Sequence, residues 1–402
     1  MGRRIIVLLI LAVLVALEYG LLIYLIRQGT RGEAPAVGAS PLLSVITPPD
    51  NSVVIQGQVI TVEVESRVER FISAELWVNG RRAAPFPRVA RLSGGKWRIA
   101  FTWQAPQVHS YALEVRITDN ENRHLVSPPI NLEVIEPLYL CFASNRDGDY
   151  EIYRMRADGK ELEKITDNEI QDREPSQAPD GSLAFASYKQ EGASGIWVLR
   201  GGERSLLIGE GINREPLYDP SGRYLLFVSN RAGGQELFLL DLNTRQVRQL
   251  TQGNSYAGQA AWSPTGEEIA FAALREGNWD VYRIKRDGSG LMRLTENPAQ
   301  DWHPAWAPDG SKIAFVSGRE GPHQLYLMNP DGTGVERITE IAGGVEQPVF
   351  SPDGKLLAFV AYTGWGKGVQ AREIYILSLK NRWPVRLTRN GYDDTDVSWC
   401  IK

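Results

Sequence analysis

Trp262–Phe271 (WSPTGEEIAF), Trp306–Phe315 (WAPDGSKIAF) and Phe350–Phe359 (FSPDGKLLAF) are one phrase written three times, 44 residues apart. A fixed period of that length marks a propeller or a solenoid, whose units bury their faces against one another. The phenylalanine ending the phrase recurs at Phe142, Phe185, Phe227, Phe271, Phe315 and Phe359, so the phase is kept through six units. An apolar-aromatic pair follows each time: Ile152-Tyr153, Ile196-Trp197, Leu237-Phe238, Val281-Tyr282, Leu325-Tyr326 and Ile374-Tyr375. Five units then end on Thr166, Thr251, Thr295, Thr339 or Thr388, while the second ends in LLIGE.

These marks translate into strands. Pro308-Asp309-Gly310 and its equivalents sit between the first two apolar runs: Pro presets φ, Asp bonds its own backbone, and Gly takes the left-handed position of a short hairpin. Each unit is therefore expected to be a four-stranded antiparallel meander, and radial packing is the propeller's answer to exposed edges. The repeats open at LYLCFAS, in phase with a second strand, whereas Asp396-Val397-Ser398-Trp399 aligns with His303-Pro304-Ala305-Trp306. Residues 396–400 thus supply the missing first strand, and 137–402 reads as a six-bladed propeller latched by its own C-terminal strand.

The pattern x-P-x-W/F-S-P-D-G-K/S-x-x-A-F-x-S, an Ile/Leu-Tyr strand and R-x-T resembles the WD40-like Pro-Asp repeats of TolB-type six-bladed propellers. The likeness covers about two thirds of the 402 residues and is sharpest in the three units quoted first; QAPDGSLAF and YDPSGRYLLF are weaker copies. The resemblance implies an extracytoplasmic binding scaffold, of the kind that in TolB itself docks a lipoprotein. The chain departs from TolB at its front, where that family carries an α/β domain.

The front differs in kind. Ile5 to Ile26 is almost continuously apolar, broken by Glu18, Tyr19 and Gly20, and at ~1.5 Å per residue it reaches the ~30 Å of a bilayer core. A cleavable leader is the competing reading, since Ala34-Pro35-Ala36 and Gly38-Ala39-Ser40 offer small residues. The run exceeds the usual ~7–15 residue core of a leader, so a retained transmembrane helix over 5–26 is expected. Residues 1–4, with Arg3 and Arg4, would then lie in the cytoplasm and the folded part outside, in the periplasm or at the cell surface. Residues 27–43, rich in Gly, Ala, Pro and Ser, read as a flexible linker.

From Ser44 the pattern becomes alternating strands with turn signals at Asn79-Gly80 and Gly94-Gly95, so 44–136 is expected to form a small β-sandwich. The segment resembles bacterial immunoglobulin-like modules, with Tyr111 placed as a tyrosine corner. The fold class expected is all-β: propeller plus sandwich behind one membrane helix.

A net charge of −4 without any Lys/Arg run argues against a nucleic-acid partner. Four histidines, with no H-E-x-x-H, no G-x-S-x-G and no glycine-rich phosphate loop, leave no catalytic set in view. Asn145–Asp149 and Asp167–Glu169 offer oxygens to Ca²⁺ but lack EF-hand spacing, so turn chemistry is the preferred reading and no cofactor is expected. Aligned on the repeat, Cys141 and Cys400 fall in the latched blade at positions ~10 Å apart, beyond disulfide reach, which predicts two free thiols.

The best candidate site is the ring immediately before each first strand: Glu174, Glu215, Gln259, His303, Gln347 and Asp396, polar in all six units. One position earlier stand Arg173, Arg214 and Trp302. Such a funnel suits a cation, an amine, a peptide terminus or a glycan. The competing reading is a hydrated rim in which Arg173 and Arg214 pair with Glu174 and Glu215. Two functions follow as expectations: recognition of a protein segment or envelope component, or a metal-assisted polysaccharide enzyme with His303 as base and Glu174, Glu215 and Asp396 holding the cation.

Overall fold

The computed structural model describes residues 39–83, 86–189, 192–253, 256–363 and 371–402. The expected membrane span at 5–26 and nearly all of the linker lie outside them; among the described residues no helix is long and apolar enough to cross a membrane.

The protein is all-β. Among the described residues, six four-stranded antiparallel sheets follow a two-sheet sandwich. Their inner strands are Gln171–Gln177, Asn213–Tyr218, Tyr256–Trp262, Asp301–Trp306, Val345–Phe350 and Asp394–Cys400. Each packs on the next, and Asp394–Cys400 touches both Val345–Phe350 and Gln171–Gln177, which closes the circle. That last strand pairs with Tyr139–Ser144, placing Trp399 opposite Leu140.

The repeated residues are the mortar. Each phenylalanine of the series is fully buried and faces its aromatic partner across the second and third strands, as in Phe271–Tyr282 and Phe315–Tyr326, both with centroids 5.8 Å apart. Such a side chain contributes ~1.5–3 kcal/mol through burial alone. The closing threonines tie the outer strand inward: Thr166, Thr251, Thr295, Thr339 and Thr388 accept the amides of Ile152, Leu237, Val281, Leu325 and Ile374 at 2.9–3.0 Å. The second unit lacks that threonine; there Ser194, at the start of the third strand, bonds the next blade instead, its hydroxyl donating to Asn213 O at 2.7 Å and accepting the Asn213 amide at 3.0 Å.

The cysteine expectation is overturned. Cys141 and Cys400 form a disulfide, with Cα atoms 5.8 Å apart. Cys141 faces Ser398 and Cys400 faces Tyr139, so the cysteines are diagonal neighbours, a separation that twisted strands bring well below a count along the ladder.

The sandwich has one sheet built on Leu43–Thr47, Val59–Ser66, Trp97–Gln104 and Arg88–Arg91, and a second on Ser52–Ile55, Ile130–Ile135, His109–Asp119, Phe71–Val78 and Arg81–Ala83. Val62, Val64, Leu76, Ile99, Phe101, Leu113 and Val115 fill the space between them. Asn79 and Gly80, with φ of 47° and 73°, make the two-residue turn that asparagine-glycine favours. The Tyr111 hydroxyl donates to Gln107 O at 3.3 Å, four residues upstream.

The chain enters the sandwich beside Ser66 and Val126, where Ser40 N donates to Val126 O, and leaves at the opposite end past Ile135. There Ile55 and Ile135 pack on Leu140, Met155, Leu356 and Ile376. Glu133 bridges Lys355 at 2.9 Å and Lys380 at 2.6 Å. A cleft of about 270 Å³ lies in this seam, between Thr47–Ile55 and Trp383–Leu387. Lys355 belongs to a Pro-Asp-Gly turn, so the sandwich meets the ring at the turn-bearing end, and the opposite mouth of the channel faces away from it.

Candidate functional site

Every inner strand carries the same irregularity near its start. Pairing slips by one residue between Arg173 and Ser176, and equivalently in the other five sheets, which is a β-bulge. The extra residues are the six predicted from the sequence. Glu174, Glu215, Gln259, His303, Gln347 and Asp396 all hold left-handed backbone, with φ of 58°, 51°, 52°, 45°, 53° and 55°. A left-handed non-glycine residue costs energy, and a sixfold repeat of it is a designed feature.

The bulge frees a backbone N–H at each step, and the preceding blade's side chain collects it. Glu174 Oε2 accepts the Glu215 amide at 2.7 Å, and Glu215 accepts that of Gln259. Gln259 Oε1 accepts the His303 amide at 3.2 Å, and Gln347 Oε1 that of Asp396 at 2.8 Å. This explains why polarity recurs while identity drifts: the position needs an acceptor on a long arm. The two short or rigid members break the sequence of bonds. Asp396 turns to Arg173 Nε and Gln347 Nε2, both at 2.9 Å, and His303 Nδ1 is buried without a partner.

The arginines depart from the rim reading. Arg173 reaches across to Asp396 instead of Glu174 and lies over Tyr150 at 4.6 Å. Arg214 lies over Tyr188 at 5.8 Å, with its Nε buried and unbonded. Trp302 Nε1 is likewise unpartnered.

Electrostatics follow from enclosure. Burial, reinforced by the charges of Asp396 and Glu215, pushes the Glu174 carboxyl up to about 7. Burial also raises Glu215. His303 is driven down to about 4 by burial, so its imidazole is neutral at pH 7.

Several contributors were not anticipated. Tyr188 donates to Glu174 at 2.7 Å, Tyr256 to Glu215, and Tyr362 to Glu346 at 2.9 Å. Arg372 is clamped between Asp393 at 2.5 Å and Glu346 at 3.4 Å. Tyr256, Trp279, Trp302 and His323 form a continuous half-buried aromatic shelf, with successive centroids 5.3, 6.3 and 4.6 Å apart. A faint signal existed: Tyr188 and Tyr362 each stand three residues beyond the repeat phenylalanine, at the strand end nearest the mouth.

No group of three or more His, Cys, Asp or Glu among the described residues is arranged to hold a metal ion, so Glu174, Glu215, Asp396 and His303 are not assembled as a ligand set. In the stretches weighed for Ca²⁺, Asp147 takes Tyr153 and Lys164, Asp167 binds Lys164 at 2.6 Å, Gly148 N donates to Asn145 O across a turn, and Asp149 Oδ2 is buried without a partner.

With this geometry in place, comparison with known proteins identifies the class. Residues 235–370 match the family described as TolB beta propeller domain, and the chain carries a TolB-type β-propeller. It is 31% identical over 154 residues to "Protein TolB homolog" of Chlorobium luteolum, a match spanning 27% of this chain and 35% of that protein. The curated relative is thus matched over about a third of its length. Among solved structures, TolB from Acinetobacter baumannii superposes with a TM-score of 0.58 at 18% identity, covering 82% of this chain and 83% of that one. Putative TolB from Agrobacterium tumefaciens gives 0.53 at 20% identity, covering 66% and 99%. These likenesses establish the fold.

Proposed function

We propose that this protein is a membrane-anchored, extracytoplasmic binding scaffold whose channel mouth recognises a segment of an envelope protein. The N-terminal span holds it, an immunoglobulin-like sandwich raises the propeller, and the mouth opens away from the membrane side. The observation that carries the reading is the set of buried polar atoms without partners at this mouth: Arg214 Nε and Trp302 Nε1 as donors, and the Nδ1 of His303, next to Trp302 in the chain. Buried polar groups without partners are costly, and an extended peptide supplies the acceptors they lack while its side chains pack on Trp302 and Trp279. A glycan offers acceptors too, but Arg214 favours a carboxylate or backbone carbonyl.

Affinity capture from envelope extracts, wild type against Trp302→Ala/His303→Ala, tests the proposal. The double variant is expected to lose the principal partner while keeping its melting temperature within a few degrees. An unchanged partner set removes the mouth from the mechanism.

A further inference from the structure

The sandwich's tether end carries a surface of its own. Between Val59 and Gln104 the chain has eight Arg and Lys against four Glu, although the whole protein is net acidic. Three of those glutamates are engaged, Glu63 and Glu65 by Arg98 and Lys96, and Glu75 by Arg82. Arg67, Arg70 and Arg88 are exposed and make no ion pair among the described residues; Arg91 is exposed and only covers Trp97, at 5.5 Å. Glu69 is the one carboxylate among them.

These arginines are grouped by the fold. Trp97 packs edge-on against Phe71 at 5.4 Å and donates to Glu69 O, which brings the Arg67–Arg70 turn beside Arg91. Arg88 continues the row along the edge strand Arg88–Arg91, the outermost of its sheet. Exposed apolar residues stand among them: Ile72 at 59%, Phe86 at 71% and Val89 at 43%. Arginines interleaved with protruding apolar side chains are the composition of an interfacial membrane contact.

Its position selects the occupant. Arg67 N donates to Leu42 O, so the patch lies where the chain arrives from the N-terminus, and the propeller docks at the other end. Only residues 27–38 separate the described part of the chain from the expected membrane span, and a flexible linker of that length would reach roughly 20 Å. Such a tether would keep this end close enough to a bilayer to touch the headgroups of the leaflet it faces, and at contact, within the ~8 Å screening length, anionic headgroups attract the arginines.

We propose that the Arg67–Arg70–Arg91 face of the sandwich lies on anionic phospholipid headgroups of the membrane that the N-terminal segment crosses, fixing the propeller upright above it. The proposal rests on the reading of 5–26 as a span. Three arginines at an anionic surface strengthen the contact roughly a hundredfold.

The test uses the full chain in nanodiscs of phosphatidylcholine alone or with 30% phosphatidylglycerol, reading hydrogen exchange at Arg88–Arg91. Exchange is expected to slow several-fold over the anionic bilayer only, and to recover in ~0.5 M NaCl and in Arg67→Gln/Arg70→Gln/Arg91→Gln, whose melting temperature stays unchanged. Equal exchange on both bilayers overturns the proposal. Extraction of the chain from vesicles by alkaline carbonate tests the span separately. If the chain is released, co-sedimentation with phosphatidylglycerol vesicles decides the patch: binding lost in the triple variant supports it, and absence of binding overturns it.

Discussion

The blade interiors and the channel ring are both built six times, yet they repeat different things. Inside the blades the side chain itself recurs: phenylalanine against an aromatic, threonine beneath a third-strand amide. Around the channel the backbone recurs, six left-handed bulges, while the side chain wanders among Glu, Gln, His and Asp. A close-packed interior specifies volume and shape. A channel wall asks only for an acceptor of sufficient reach, and where that demand is relaxed, as at His303, the side chain leaves the ring of bonds.

The contrast is broken most severely from the interior. Phe315→Ala is expected to cost about 3–5 kcal/mol, because the buried ring cannot be replaced by local collapse; chemical denaturation of the propeller would measure it. A loss under 1 kcal/mol would mean the repeated aromatic is not the mortar. Cys400→Ser comes next, at about 2–4 kcal/mol, since the bond closes a loop of sequence separation 259. Its effect should vanish when the wild type is measured under reducing conditions.

Smaller changes sharpen the comparison. Thr295→Val keeps the shape but strands the Val281 amide, for an expected loss of about 1–2 kcal/mol. At the ring the charge, not the acceptor, is the quantity to remove. Glu174 holds its proton more tightly folded than unfolded, so its contribution is present below pH ~4.5 and lost as pH rises through about 7. Glu174→Gln, which keeps the acceptor for the Glu215 amide, should therefore raise the melting temperature at pH 8 and leave it nearly unchanged at pH 4.5. Melting curves at both values check this, and an equal shift at both refutes the buried-carboxylate account. The smallest effect expected is from His303→Gln: the longer acceptor restores the broken bond to the Gln347 amide, stabilising by about 0.5–1 kcal/mol.

What the amino-acid sequence disclosed follows the same division. Trp262, Trp306 and Phe350 announced the period because identity survives where packing is tight, and Asp396–Trp399 announced the latch because it repeats His303–Trp306. The ring showed itself as polarity alone. Its left-handed backbone was hidden, since four of the six members are Glu or Gln, which have little intrinsic preference for that region. The disulfide was missed because a diagonal distance depends on twist, which no spacing records. The aromatic shelf was missed because its members do not recur as one aromatic position: Trp279 and His323 share a repeat position, eight residues beyond Phe271 and Phe315, but Tyr256 and Trp302 stand at two others, and only the ring's curvature gathers them.

Placing the closing strand Asp394–Cys400 after all other blades sets an order of birth. The first blade waits with one edge bare while the ribosome delivers the rest, so synthesis must finish before the circle can be made. The oxidation that seals Cys141 to Cys400 is then a maturation step, and a cell short of thiol oxidants would accumulate chains whose blades are formed but whose circle is not fastened.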